Sequence, residues 1–194
     1  KIKSNPKYGM NRITWDFRYA STTPVRLNEE KPGRYGEGSS GPLALPGKYY
    51  VSMKKSVNGV FTELVKPTPF ECRLLNTVTL PADDKVALLE FESKVNELRR
   101  VVRASGSIFN EAQNRLKHIK VAVQNTPGLS DSLMNKIKSL EAKMNKLSIQ
   151  IYGDHSLSRR EFETAPAIMD RVETIVWSQW RATAAPTQTN ITSY

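Results

Sequence analysis

The sequence of 194 residues has few of the side chains that catalysis and metal binding most often use. Its one cysteine, Cys72, excludes an internal disulfide and a multi-cysteine zinc site. Its two histidines are His118 and His155. His155 follows Asp154, but no serine, cysteine or second carboxylate at an identifiable spacing completes an acid–base pair, so we interpret this segment as a turn. The residues predict a chain that is not an enzyme, with no catalytic residue, no cofactor and no metal.

Long apolar runs are also missing. No stretch approaches the roughly 18 apolar residues of a membrane span, and no apolar core behind a charged segment indicates a signal peptide. The chain begins with Lys1 rather than methionine, so we expect it to be a piece of a longer protein. We therefore predict no membrane span, and these features do not indicate the compartment of the protein.

Basic residues exceed acidic residues, and the excess is uneven. Residues 1–80 carry 13 Lys or Arg against 6 Asp or Glu, a net charge of +7, whereas residues 81–194 carry 16 against 13, a net charge of +3. In residues 1–80 no run of consecutive basic residues is longer than Lys54-Lys55. A solvated basic surface is the favoured interpretation, nucleic acid is not the expected partner, and a polyanion-binding module is an alternative.

The first 80 residues have the two-residue period of β-strands. We predict strands near residues 13–19, 48–56, 60–66 and 71–80, a long loop at 20–41, and a hairpin turn at Asn58-Gly59. The alternation predicts which side chains are buried and which are exposed. Burial is expected for Trp15, Phe17, Tyr49 and Val51, and exposure for Arg12, Arg18 and Lys54.

From Asp83 the apolar period becomes helical and resembles that of a coiled coil. Apolar residues spaced three and four apart predict one helix over 83–124, about 60 Å long. Pro127-Gly128 ends it, Ser130 or Asp131 can cap a second, antiparallel helix over 133–151, and a third covers 164–184. The predicted seam of the first helix consists of Leu88, Phe91, Val95, Leu98, Val102, Ser105, Phe109, Ala112, Leu116, Ile119 and Val123, with Gly106 outside it.

Two segments carry a resemblance to a known family. Residues 9–19 (GMNRITWDFRY) and 41–51 (GPLALPGKYYV) resemble the immunoglobulin-like module that follows the β-propeller in secreted bacterial sortilin-like proteins, described as BNR or Asp-box glycosyl hydrolase-like proteins. The resemblance implies an α+β chain, all-β then all-α. Its parts would be an immunoglobulin-like antiparallel β-module at 1–80, truncated at its N-terminus, and an antiparallel coiled-coil helical bundle at 81–194, truncated at its C-terminus.

The resemblance also implies a role and a location. The expected function is a non-catalytic accessory and interaction module of a larger β-propeller protein, which is secreted, periplasmic or on the cell surface. Its expected partners are the propeller domain of the same parent chain and a protein or glycan. The alternative is part of a glycoside hydrolase whose catalytic residues lie in the propeller. The candidate partner contacts are Arg34 and Tyr35 in the 20–41 loop, for which a loop without a ligand is the simpler interpretation, and Tyr50.

Overall fold

The computed structural model describes residues 2, 4–21, 40–75, 77, 79–180 and 182–194, and for Ser40 it describes the backbone alone. The strands are β1 (Arg18–Ala20), β2 (Ser40–Leu43), β3 (Gly47–Val57) and β4 (Val60–Cys72). The helices are α1 (Lys85–Gln124), α2 (Asp131–Tyr152), α3 (His155–Ser158), α4 (Ile168–Gln179) and α5 (Gln188–Ser193). The described helices do not combine the length and hydrophobicity that crossing a bilayer requires.

The described strands form two separate antiparallel pairs, β1 with β2 and β3 with β4. The prediction of an immunoglobulin-like sandwich is therefore wrong for the described residues. A sandwich needs two sheets packed face to face over a shared core. Here the two strands of the first sheet, β1 and β2, are only three and four residues long. The strands of the second sheet, β3 and β4, expose side chains along most of their length.

The hairpin turn is confirmed. Asn58 and Gly59 have φ angles of 50° and 81°, the left-handed conformation that a type I′ turn requires at both central residues. Val57 and Val60 pair directly beside the turn, and β4 then continues without a break to Cys72. The separate strand expected over 71–80 is thus wrong, because its first residues belong to the end of β4.

The strand expected over residues 13–19 is also wrong, since β1 begins only at Arg18. Phe17 has a φ of 56°, which interrupts the extended conformation and with it the alternation of faces. Phe17 is exposed and Trp15 is half-buried. The prediction that both are buried on one face is therefore wrong, because the chain is not a regular strand between them.

Further along, the burial predictions have mixed outcomes. Arg12 and Lys54 are exposed, as predicted, and Tyr49 is half-buried. Val51 is exposed rather than buried, because β3 has no second sheet over it. Arg18 is half-buried rather than exposed, because it is held between β2 and the end of α4.

The long helix is confirmed, because α1 runs without interruption for 40 residues. The Asp84 carboxylate caps its first turn by accepting bonds of 2.9 Å from the backbone N–H groups of Val86 and Ala87. Ser130 caps α2, and Gly128 turns the chain between the two helices with a φ of 78°. These local signals fix the helix ends where the sequence predicts them.

The side-chain contacts confirm that α2 runs antiparallel to α1. Lys120 lies 2.8 Å from Glu141, whereas the Tyr152 hydroxyl donates a 3.1 Å bond to the carbonyl of Gly106. The earlier residue of α2 therefore meets the later residue of α1. Phe109 and Leu116 are buried, as expected, but Ile119 is exposed.

The coiled-coil prediction is not supported, because the buried stripe of α1 differs from the apolar seam. Glu92, Arg99 and Gly106, each seven residues from the next, lie in that stripe, and α2 exposes much of its own apolar row. A coiled coil would bury both alternating sets of seam residues. The buried residues of α1 are Leu88, Glu92, Val95, Arg99, Gly106, Phe109 and Leu116. The exposed leucines of α2 are Leu133, Leu140 and Leu147.

A second packing partner explains the difference. α4 lies along the N-terminal half of α1, where Val95, Ile175 and Val176 form the core, flanked by Phe91 and Trp180. The third helix predicted over 164–184 is in fact this shorter helix, and a further helix, α5, begins at Gln188. The Thr187 hydroxyl caps α5 by accepting a bond from the N–H of Asn190.

Candidate functional site

Of the three contact residues predicted from the sequence, the structure describes one. Arg34 and Tyr35 lie outside the described residues. Tyr50 lies in β3 and is 62% exposed, on the face opposite its neighbour Tyr49. The structure therefore places one predicted contact residue on the long ribbon formed by β3 and β4.

One face of this ribbon is apolar and exposed. Side chains alternate along a strand, and directly paired residues share a face, so Met53 lies beside Val65 and Val57 beside Val60. We call this set the ribbon face; its members are 43 to 67% exposed. The ribbon face consists of Val51, Met53, Val57, Val60 and Val65. Groups of exposed apolar side chains on one face mark interaction surfaces.

The opposite face of the ribbon is mixed, with charged residues beside the exposed side chains of Tyr50 and Phe61. Lys48 pairs with Glu71, and Lys54 pairs with Glu63, so each lysine stands opposite a carboxylate of the neighbouring strand. We call these two lysines and their carboxylates the lysine face. The ribbon therefore has one side that is apolar except for the Lys55–Thr62 pair, and one side that carries the two lysine–glutamate pairs.

Aromatic side chains hold the base of the ribbon. The ring of Trp15 lies 5.1 Å from that of Phe17, 5.4 Å from that of Tyr49 and 6.1 Å from that of Phe70. The Tyr49 hydroxyl donates a 2.6 Å bond to the carbonyl of Leu45. Burial, with the Tyr19 hydroxyl 3.3 Å away, raises the pKa of Tyr49 to about 12. The base is thus fixed to the short strands, and the ribbon face extends beyond it.

A polar junction connects the short strands to the helices. Arg18 donates bonds to the carbonyls of Gly41 in β2, at 3.3 Å, and of Trp180 after α4, at 2.6 Å. Its guanidinium lies 4.2 Å from the centre of the Trp180 ring, a cation–π contact. Gly41 is required at this point because a Cβ there would lie 2.4 Å from the carbonyl oxygen of Ala20.

Beneath Arg18 lies a cleft of about 20 Å³, which is room for about one water molecule. Glu92 lines it and is 7% exposed; burial raises its pKa to about 7, against the opposing charge of Arg18. The Oε1 atom of Gln179 is buried there and has no hydrogen-bond partner among the described residues. The cleft is too small for a substrate, but it holds a carboxyl group that titrates near neutral pH.

A charge cluster joins α1 to α4. Arg99 donates two bonds to the Glu173 carboxylate, at 3.0 and 2.7 Å, and Arg103 donates a third at 2.8 Å. Burial opposes ionisation of Glu173, but these hydrogen bonds outweigh it and hold its pKa below the ordinary value. Sequence analysis missed Glu92, Arg99 and Glu173; the seven-residue spacing of Glu92, Arg99 and Gly106 beside the seam was the available signal.

The groups that could do acid–base chemistry do not converge. His118 and His155 are exposed on α1 and α3, and Cys72 is half-buried at the end of β4. The Asp154 carboxylate caps α3. It accepts hydrogen bonds from the hydroxyl and the backbone N–H of Ser156, and these bonds, the hydroxyl bond most strongly, hold the pKa of Asp154 below its ordinary value. Across the described ranges no group of histidine, cysteine and acidic residues is arranged to hold a metal ion.

The ribbon face, the lysine face and the Arg18 junction are therefore the features from which a function can be argued. The resemblance of residues 9–19 and 41–51 to the sortilin-like family stays a prediction from short motifs. Comparison of the chain with protein-family models, with characterised proteins and with solved structures finds no match.

Proposed function

We propose that this chain is a non-catalytic interaction module, in which the helices are a rigid support and the β3–β4 ribbon is the contact surface for another polypeptide. The observation that carries the proposal is the exposure of the five apolar side chains of the ribbon face, which lie on one side of the β3–β4 pair. By the resemblance of its motifs, the larger protein would be a β-propeller protein, and the propeller would be one polypeptide that the module contacts.

The length of the ribbon supports this role. β3 and β4 contain 11 and 13 residues, and a two-stranded ribbon is at best marginally stable in water without a covered face. Covering the exposed halves of the five ribbon-face side chains would contribute on the order of 4 to 7 kcal/mol before the cost of association. A partner on this face would thus stabilise the ribbon as well as bind to it.

The helices supply the rigidity that an accessory module needs. The three bonds of the Arg99–Arg103–Glu173 cluster and the core around Ile175 fix α4 on α1. Arg18 then fixes the short strands to the end of α4, and the aromatic cluster fixes the ribbon to those strands. The ribbon is thereby held in a defined position relative to the 40-residue helix.

A peptide selection tests the proposal. A displayed library of random peptides of about 12 residues, long enough to span a strand of this length, would be selected on the full chain. The selected peptides would then be measured on the variant Val51→Thr/Met53→Thr and on the control Val121→Thr, which changes an exposed valine of α1. We expect binding to fall with the ribbon variant and to be unchanged with the control.

Two outcomes would contradict the proposal. One is a set of selected peptides that binds the ribbon variant as well as it binds the unaltered chain. The other is reproducible turnover of glycoside, ester or peptide substrates by the chain. Binding of heparin with a steep salt dependence and no effect of the ribbon variant would instead favour the polyanion-binding alternative.

A further inference from the structure

We infer that the open edge of β3 binds an extended peptide segment in which apolar and acidic residues alternate, so that the segment becomes a third strand of the ribbon. This inference rests on the proposed function and specifies its partner. It assigns the backbone of β3 as the docking edge, the ribbon face as the site for the apolar side chains and the lysines of β3 as the site for the acidic ones.

The two edges of the ribbon are not equivalent. Among the described strands β3 pairs only with β4, so its other edge presents backbone N–H and C=O groups to an incoming strand. β3 contains no proline, whereas β4 contains Pro67 and Pro69, which lack the N–H that strand pairing uses. The edge of β3 is therefore the better template.

The register supports the same edge. From Val51 to Met53 the chain advances two residues in β3, while their partners Thr68 and Val65 are three residues apart in β4. From Met53 to Lys54 the chain advances one residue in β3, while their partners Val65 and Glu63 are two residues apart in β4. The extra residues lie in β4, so β3 is the continuous strand and offers an evenly spaced row of backbone groups.

The charge of β3 selects an acidic partner. β3 carries Lys48, Lys54 and Lys55 and no carboxylate. On its paired side, β4 already places Glu71 opposite Lys48 and Glu63 opposite Lys54. A strand on the open side would meet the same lysines, and opposite charges facing each other across strands stabilise the pairing.

The alternation of β3 selects the pattern of the partner. Val51, Met53 and Val57 point to the ribbon face, while Lys48 and Lys54 point to the lysine face. An incoming strand would extend the apolar row with every second residue and place carboxylates at the positions between. Lys55 lies on the same side of β3, between Met53 and Val57.

A second copy of this chain is a poorer occupant. Each β3 carries three lysines and no acidic residue, so pairing two of these edges would gather six positive charges and no negative charge on two adjacent strands. Like charges close together across strands destabilise the pairing. The charges thus favour a different, acidic strand over self-association.

The test uses the full chain and two synthetic peptides. The first is a labelled peptide of about ten residues, close to the length of β3, that alternates valine and glutamate. The second has lysine in place of each glutamate. Fluorescence anisotropy would measure binding of both to the unaltered chain, to Lys48→Glu/Lys54→Glu, and to the control Lys138→Glu/Lys146→Glu, which changes the net charge equally on exposed α2 positions.

We expect the glutamate peptide to bind the unaltered chain and the α2 control alike, and to bind the β3 variant about tenfold more weakly. The lysine peptide should show the reverse preference. Hydrogen–deuterium exchange should show added protection in β3 and little change in β4. The charge-swap result keeps the test informative even if the variant is somewhat less stable.

Three results would overturn the inference. They are equal binding of the two peptides, protection confined to β4, and a dimer of the chain in sedimentation that is lost with Lys48→Glu/Lys54→Glu. If library peptides still depend on the ribbon face while the glutamate peptide does not bind, this inference fails and the proposed function stands. If no selected peptide depends on the ribbon face, both fail.

Discussion

Arg18 and Trp180 meet through two contacts at once, a 2.6 Å hydrogen bond from the Arg18 guanidinium to the Trp180 carbonyl and a guanidinium placed 4.2 Å from the centre of the Trp180 ring. The two residues are 162 positions apart in the chain. Together they join the β-strand part of the molecule to the end of α4.

Removing Arg18 should therefore weaken the whole molecule. We expect Arg18→Ala to lower the free energy of unfolding by about 2 to 4 kcal/mol, the sum of a charged hydrogen bond and a cation–π contact. Arg12→Ala, at an exposed position, should change it by less than about 0.5 kcal/mol. Urea unfolding followed by tryptophan fluorescence measures both, and equal effects would show that the junction does not stabilise the fold.

Glu92 should make stability depend on pH near neutrality. Its pKa of about 7 in the folded chain lies above the ordinary value of 4.5, so between these values the folded state holds a proton that the unfolded state has released. Stability from this group is therefore complete below pH 4.5 and is lost as the pH rises to about 7.

The variant Glu92→Gln should remove this loss. It should be more stable than the unaltered chain at pH 8, by on the order of 2 to 3 kcal/mol, and similar to it near pH 4.5. Urea midpoints across this range measure the effect, with Glu90→Gln, at an exposed position, as control. A stability profile with the same slope in Glu92→Gln and the unaltered chain would contradict the assignment.

Gly106 and Tyr152 should be energetically coupled. Alanine favours a helix over glycine by about 1 kcal/mol, but a Cβ at residue 106 would lie 2.8 Å from the Tyr152 hydroxyl oxygen. Gly106→Ala should thus be more favourable by about 1 kcal/mol in a Tyr152→Phe background than in the unaltered chain. A double-mutant cycle on unfolding free energies gives this difference, and strict additivity would argue against the contact.

Leu116 and Lys117 provide a matched pair on α1. Leu116 is buried against α2, so Leu116→Ala should lower the free energy of unfolding by about 2 to 5 kcal/mol. Lys117→Ala, at the exposed neighbouring position, should lower it by less than about 0.5 kcal/mol. Thermal unfolding followed by circular dichroism distinguishes them, and similar losses at the two positions would mean that α2 does not cover this face.

Local sequence signals predicted the elements better than their packing. The regular spacing of apolar residues, Asn58-Gly59 and Ser130 act within a few neighbouring positions, and α1, the hairpin and the start of α2 follow from them. The buried face of α1 could not be predicted in this way. Arg99 is buried where Glu173, 74 residues later in the chain, accepts its hydrogen bonds.

In the candidate site too, local patterns predicted which residues share a face, but not which residues tertiary packing brings together. Strand alternation puts Tyr50 and Tyr49 on opposite faces of β3, and in the structure Tyr49 is half-buried while Tyr50 is exposed. The prediction that Val51 is buried is wrong, because alternation identifies which residues share a face but not whether another sheet lies above that face. Glu92 and Gln179 meet only through the packing of α1 on α4, so no local pattern indicated their cleft.

Gly106 is also the position where α1 changes partner. A Cβ there would meet Tyr152 at the end of α2 and, at 3.5 Å, Met169 at the start of α4. Before this position α1 is stabilised by α4, and after it by α2. One continuous helix therefore joins two packing interfaces in succession, the first with α4 and the second with α2.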